Sequence, residues 1–399
     1  MKKLLSVFIL TFVMSTNLQA QNAIAPYFSY GKGLGITSPD SLFMLNIRFR
    51  IQNRFAFATE SLEDLDIKEV EARVRRLRLR FDGFIYNPKL TYVIQLSFSR
   101  GDMDFDDTGF PNVVRDAIVL YSVNEHFTIG LGQTKLPGNR QRVNSSGDLQ
   151  LPDRSIVNST FNVDRDFGLQ FYYNNKIGFM TYVVRGAITS GEGRNVTKSD
   201  RGLAYTGRLE LLPFGYFTNG GDYFEGDLSR EPKPKVSVGL TYSDNENATR
   251  TGGQLGVFLP PGEQRDIETG MVDFLLKYNG WALASEYLNR STIDPLILID
   301  PIESDYAFIY KGHGFNLQGS YLFKNNLELV SRFSEVKPDM ELADFTPYIK
   351  QYTIGTTKYM KGHRVKLQCD VTLEHRKWLS DIQPDSKNWQ VRFQVEAGI

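Results

Sequence analysis

The chain has 399 residues, with 46 basic and 46 acidic side chains and a formal net charge of zero. Aromatic residues at 13% and hydrophobic residues at 41% exclude a disordered chain, and a single Cys excludes a disulfide framework or a cysteine-held metal cluster. The balanced charge argues against a nucleic-acid partner, which would select a globally basic chain.

Residues 1–20 read as a signal peptide: Lys2 and Lys3, an apolar run from Leu4 to Val13, then Ala20 before Gln21. Ten apolar residues are about half of what a membrane helix needs, and the remaining chain, 21–399, holds no apolar run near the required ~20 residues.

The exported part of the chain instead alternates with period two. Leu45, Ile47, Phe49, Ile51, Phe55 and Phe57 share one face of the first segment; Asn46, Arg48, Arg50, Gln52 and Arg54 share the other. The next segment sets Leu77, Leu79 and Phe81 against Arg76, Arg78, Arg80 and Asp82. About sixteen such strands are predicted, near 42–59, 70–86, 90–100, 113–123, 127–135, 166–174, 177–187, 202–212, 235–245, 267–278, 281–290, 306–323, 326–336, 349–360, 363–374 and 389–396. Long and short connections alternate. Short turns are expected at Asn87-Pro88, Asn124-Glu125, Asn174-Asn175, Asn279-Gly280, Asn325-Asn326 and Lys361-Gly362; one connection on that side, 213–234, is long.

A soluble sandwich would bury the apolar faces, whereas an outer-membrane barrel turns them to lipid and its polar faces to water. Strand length, the signal peptide and the alternation of connections favour an all-β transmembrane barrel of about sixteen antiparallel strands, the last paired with the first. Such a barrel encloses a water-filled bore, which implies passive diffusion of small solutes.

Arg48, Arg50, Arg54, Arg76, Arg78 and Arg80 on neighbouring inner faces would attract anions, since guanidinium forks match phosphate, sulfate and carboxylate oxygens. Lys135 is a further inward base. The competing arrangement is a transverse field, with Asp116, Glu210, Asp273, Glu286 and Glu328 on an opposite wall. The longest connection, 136–165, carries Arg140, Arg142, Arg154 and Arg165 and is expected to fold inward as a constriction; a mobile surface loop is the alternative.

The segments RVRRLRLRFDG (73–83), 112–138, DRSIVNSTFNVDRDFGLQFYYN (153–174), 213–242 and the C-terminal VRFQVE together resemble the phosphate-selective porin O and P family of bacterial outer membranes. The resemblance implies a sixteen-stranded, commonly trimeric barrel whose third long loop constricts the channel and whose lumen carries arginines and a central lysine. On the matching motifs Arg76, Arg78 and Arg80 fall in the arginine-rich second strand, Lys135 at the GQxK strand end, and Arg165 with Asp166 at the RD-G start. Such barrels often end in Phe, where this chain has Ile399.

The acidic run at 102–107 offers alternate Asp oxygens to Ca²⁺ but lacks the glycine that an EF-hand loop needs at its sixth position. The four His have no zinc-site spacing, and no nucleophile motif or P-loop is present, so neither an enzyme nor a cofactor is expected. The expected function is therefore an outer-membrane porin, anion-preferring, with small anionic solutes and lipid as partners and a homotrimer as the assembly. A ligand-specific barrel without an open channel is the alternative, and an outer-membrane barrel enzyme is a third reading.

Overall fold

The computed structural model describes residues 33–103, 109, 111–196, 202–300, 305–380 and 382–399. The signal segment 1–20 and residues 104–107 of the acidic run lie outside them. Nineteen strands are described: β1 (Leu34–Thr37), β2 (Phe43–Thr59), β3 (Ile67–Ile85), β4 (Asn87–Ser97), β5 (Val114–Ser122), β6 (Phe127–Lys135), β7 (Arg165–Ile177), β8 (Met180–Thr189), β9 (Ala204–Leu212), β10 (Lys235–Ala248), β11 (Arg265–Tyr278), β12 (Trp281–Ser291), β13 (Leu296–Asp300), β14 (Asp305–Phe308), β15 (Gly312–Leu322), β16 (Leu327–Pro338), β17 (Tyr348–Tyr359), β18 (Val365–Lys377) and β19 (Ser386–Gly398).

Sixteen of these, β2–β12 and β15–β19, pair antiparallel with their neighbours, and β19 pairs with β2 to close the barrel. Closure leaves no unpaired edge in the span. The final strand carries Phe393 opposite Phe55 and Gln394 opposite Arg54. It does not reach the end of β2. There β1 takes over the same edge, with Leu34 opposite Ile47, and the backbone N–H of Ile399 bonds to the Phe49 carbonyl at 3.1 Å between the two pieces. The four residues of β1 are too few for alternation to reveal.

The faces sort as a barrel in lipid requires. Consecutive residues Thr353 and Ile354 are 2% and 71% exposed, and outward Leu131, Leu329 and Phe393 are likewise open while inward Gln52, Asp273 and Asp370 are covered. Trp281 packs at a tilt against Tyr321, with ring centroids 4.7 Å apart, beside the exposed Tyr278 at one rim, as an interfacial aromatic girdle would. No helix among the described residues is long and apolar enough to cross a membrane.

Several local expectations are corrected. The β7–β8 turn falls at Gly178-Phe179, not at Asn174-Asn175, because Gly178 supplies the positive φ (62°) while both Asn residues continue the ladder. The β3–β4 turn centres on Tyr86 (φ 69°), ahead of Asn87-Pro88. The predicted strand 306–323 is two elements: β14 pairs with β13 in a separate hairpin, and only β15 belongs to the barrel.

Candidate functional site: the lumen

Two segments enter the barrel from opposite rims. From the long-loop rim comes the β6–β7 connection, with a helical turn at Arg140–Val143 and a helix at Ile156–Phe161 capped by Ser155. It packs against the arc β9–β18 and also touches the other side, where Arg50 and Arg78 donate to Ser146 Oγ (2.7 and 2.8 Å) and Lys135 donates to the Val143 and Asn144 carbonyls (3.3 and 3.0 Å). Arg140 bonds to Asp273 (Nε–Oδ1 3.1 Å) and Ser237 (2.7 Å), with Glu210 at 3.6 Å. The Gln141 N–H and the Asn139 amide both donate to Glu286 Oε1, at 2.8 and 3.0 Å. Lys366 donates to the Gly147 and Leu149 carbonyls, each at 2.7 Å. Beneath the helix, Leu136, Val157, Phe161 and Val163 pack against Met271, Leu288 and Val336 of the wall. Gly314 makes this approach possible, since a Cβ there would sit 2.9 Å from both Phe161 and Val157.

From the short-turn rim comes the connection 213–234. Phe217 packs against Val183, Leu212 and Leu275, and Lys277 donates to the carbonyls of Gly221 (2.6 Å) and Phe224 (2.7 Å). The two segments meet at Glu225. Its backbone N–H donates to the Asp148 carbonyl (2.8 Å), and its carboxylate accepts from the Gln150 N–H (2.8 Å), the Gln141 amide (3.1 Å) and the Gln318 amide (3.1 Å).

These contacts determine where charge remains. Of the five acids expected on an opposite wall, Glu210, Asp273 and Glu286 do lie across the lumen from β2 and β3, but each is engaged. Arg208 joins Arg140 in binding both Glu210 (2.6 Å) and Asp273 (2.6 Å), and Glu286 holds the loop. Glu328 accepts from Gln150 (2.6 Å) and Tyr359 (2.5 Å). Asp116 lies on β5, near the basic arc, and binds Arg165 (Nε–Oδ1 2.9 Å).

The space left open is a cavity of ≈ 770 Å³ between the loop and the arc β2–β6. Arg48, Arg50, Arg78, Arg80, Lys135, Arg142, Arg154 and Arg165 all line it, as do Arg115, Lys361 and Arg364; among the described residues its acids are Asp116, Asp148 and Glu396. Three expected residues do not line it. Arg54 is buried against Asp153 and Gln394 (Nη2–Oε1 2.9 Å). Arg76 is held by Gln52 (2.7 Å) and Asp153 (3.4 Å). Arg140 is committed to the far wall.

The basic arc differs from the expected ladder. Arg48 and Arg80 share Asp82 of their own hairpin, Arg78 binds Asp102 (Nε–Oδ2 2.7 Å), and Arg50 stands 3.7 Å from Glu396. The Asp102 carboxylate of the acidic run is thus held by Arg78 and Arg115 (3.3 Å), and no group of metal-ligating side chains occurs among the described residues. Two β-bulges add arginines that strict alternation would turn outward. The register slips between Gln52 and Asn53, leaving Arg75 extra on β3, and between Gln95 and Leu96, leaving Arg115 extra on β5. Arg75 then reaches Asp153 at 3.3 Å.

Electrostatics reflect the packing. Burial would raise the Asp153 carboxyl, but Arg75, Arg54 and Arg76 hold it well below the usual carboxylate range. On the cavity side, burial and then the neighbouring guanidiniums of Arg165, Arg154 and Arg115 push Arg142 well below its ordinary value. Arg142 also lies against the Asp164 carboxylate.

Sequence reasoning did not single out Glu225, Phe224 or His363: the first two lie in 213–234, whose length where a short turn is due is a signal, and His363 lies in the β17–β18 turn and has none.

The comparisons agree with this geometry. The barrel is similar to an anion-selective porin from Comamonas acidovorans (13% identity, 90% of this chain and 100% of that one, TM-score 0.57). It is also similar to the outer membrane channel DcaP of Acinetobacter baumannii (12%, 92% and 99%, TM-score 0.55) and to Salmonella typhi OmpF (13%, 92% and 100%, TM-score 0.55). At these identities the likeness speaks to fold. No curated protein sequence matches the chain. The model of one family, described as phosphate-selective porin O and P, matches residues 45–331. A closed sixteen-stranded barrel with lipid-facing apolar residues and that match over most of its length together show that the chain belongs to the phosphate-selective porin O and P family, and that it is an outer-membrane β-barrel channel of Gram-negative type.

Proposed function

We propose that this channel is a diffusion pore preferring small anions, phosphate and similar oxyanions among them, and that solutes pass between the loop 136–165 and the basic arc β2–β6. In this reading residues 136–165 form the constriction, with Arg142 and Arg154 of the loop and Arg48, Arg50, Arg78, Arg80, Lys135 and Arg165 of the wall lining the path. The observation that carries the reading is the imbalance of the cavity wall: its bases outnumber Asp116, Asp148 and Glu396, while the carboxylates of the far wall are covered by the loop. Fixed positive charge in a narrow aqueous path raises the local anion concentration and offers stepwise hydrogen bonds.

The combined variant Arg48→Ala, Arg78→Ala, Arg80→Ala tests the assignment in planar bilayers: the chloride-to-potassium permeability ratio falls. An unchanged ratio removes these residues from the selectivity mechanism. The apolar exterior and the family also favour a homotrimer, which cross-linking in native membranes would resolve as a threefold species.

A further inference from the structure

The cavity has two chemistries. Arginines line its middle, and its short-turn end adds rings and an apolar side chain, Phe224, His363, Tyr359 and Leu322, beside Lys361 and Arg364. The His363 ring lies between the other two, its centroid 5.6 Å from Phe224 and 5.2 Å from Tyr359. Phe224 and His363 are half-buried and still face the open space. Lys277 covers part of the Phe224 ring, its Nζ 4.2 Å from the centroid.

This shelf stands one short relay from the guanidiniums. His363 Nδ1 is 3.4 Å from Lys366 Nζ, Lys366 is 3.4 Å from Glu396, and Glu396 is 3.7 Å from Arg50 Nε. A bare, strongly hydrated oxyanion uses the guanidiniums and gains nothing from rings. A solute with an aromatic ring joined to an anionic group uses both: charge-assisted hydrogen bonds at one end and offset or edge-on ring contact at the other. Binding sites for organic molecules likewise join apolar surface to placed polar groups.

We propose that the short-turn end of the lumen is a subsite for anions bearing an aromatic ring, such as aryl phosphates and aryl carboxylates, which the channel takes in preference to inorganic phosphate. This rests on the anion-preferring function and adds a substrate class to it. The competing role for the rings is structural, packing 213–234 against the β17–β18 turn.

The test is single-channel block in planar bilayers, with phenyl phosphate and inorganic phosphate titrated separately from the short-turn side. The half-blocking concentration of phenyl phosphate is expected to be roughly tenfold below that of inorganic phosphate, the size of one good ring contact. Phe224→Leu, which keeps an apolar side chain, and separately His363→Leu should each bring the two concentrations within about twofold. Equal blocking by the two anions in the wild-type channel overturns the proposal, as does a wild-type ratio that survives in both variants. A potassium chloride gradient across the same membranes separates the two readings. Chloride preference with equal block defeats the ring subsite alone, whereas potassium preference defeats the anion reading on which it rests.

Discussion

The carboxylate of Glu225, on the connection that enters from the short-turn rim, accepts a hydrogen bond of 2.8 Å from the backbone N–H of Gln150, in the middle of the loop that enters from the opposite rim. Two segments, each already anchored to its own part of the wall, thereby brace each other in the bore. The same carboxylate takes the Gln141 and Gln318 amides, so loop, turn segment and wall share one acceptor.

Glu225→Gln should therefore loosen the loop without unfolding the barrel. The substitution turns one acceptor into a donor facing other N–H groups, at a cost of about 1–3 kcal/mol. Single-channel records are expected to show more frequent closures and greater open-channel noise. A trace as quiet as the wild type would mean that the contact does not hold the loop.

The strand pattern is legible in the sequence because lipid and water impose period two on every span; even the edges of β6 and β12 fall within a residue of their expected places. The bulges are not. RVRR at 73–76 reads as alternation with one interruption, and only the pairing with β2 shows that Arg75 and Arg76 both turn toward Asp153. Nor can sequence separate Arg78 from Arg76, which have the same spacing: one lines the cavity, while the other is covered by contacts to Gln52 and Asp153 from remote parts of the chain. The fate of Glu210 and Asp273 likewise depends on Arg140, a loop residue whose position no local pattern fixes.

That distinction is measurable. Arg78→Ala removes a charge from the path and should lower the anion-to-cation permeability ratio about two- to fivefold, the effect of one unit charge at ~8 Å in a largely aqueous dielectric. Arg76→Ala should leave the ratio near wild type and lower resistance to urea unfolding, because Arg76 acts within a buried network. Equal effects of the two on selectivity would contradict the placement of the path.

Gly314→Val should displace the helix Ile156–Phe161 from its wall, since even a Cβ at this position meets Phe161 and Val157 at 2.9 Å. A Cβ-branched side chain forces the loop toward the basic arc and narrows the path. Reduced unitary conductance with normal barrel assembly, seen as heat-modifiable gel migration, is the expected result; unchanged conductance would place the constriction elsewhere.

Asp222 gives a pH signature. Burial, then repulsion from Glu210, raises its carboxyl from 3.8 to about 6, with Arg140 offsetting part of the shift. In the folded protein it holds a proton that the unfolded chain has lost between those values, so stability rises as pH falls from about 6 toward 4. Asp222→Asn removes this slope and should stabilise the barrel near pH 7 by roughly 2–3 kcal/mol. The check is urea unfolding in liposomes at a series of pH values; identical slopes for the two proteins would contradict it.

In the proposed pore the loop neutralises one wall and leaves the other positive. The reversal potential of the wild-type channel in a tenfold potassium chloride gradient reads this directly. The expected sign is that of an anion-preferring pore, with chloride more permeant than potassium; a potential of the opposite sign, or one at zero, would overturn the proposed selectivity.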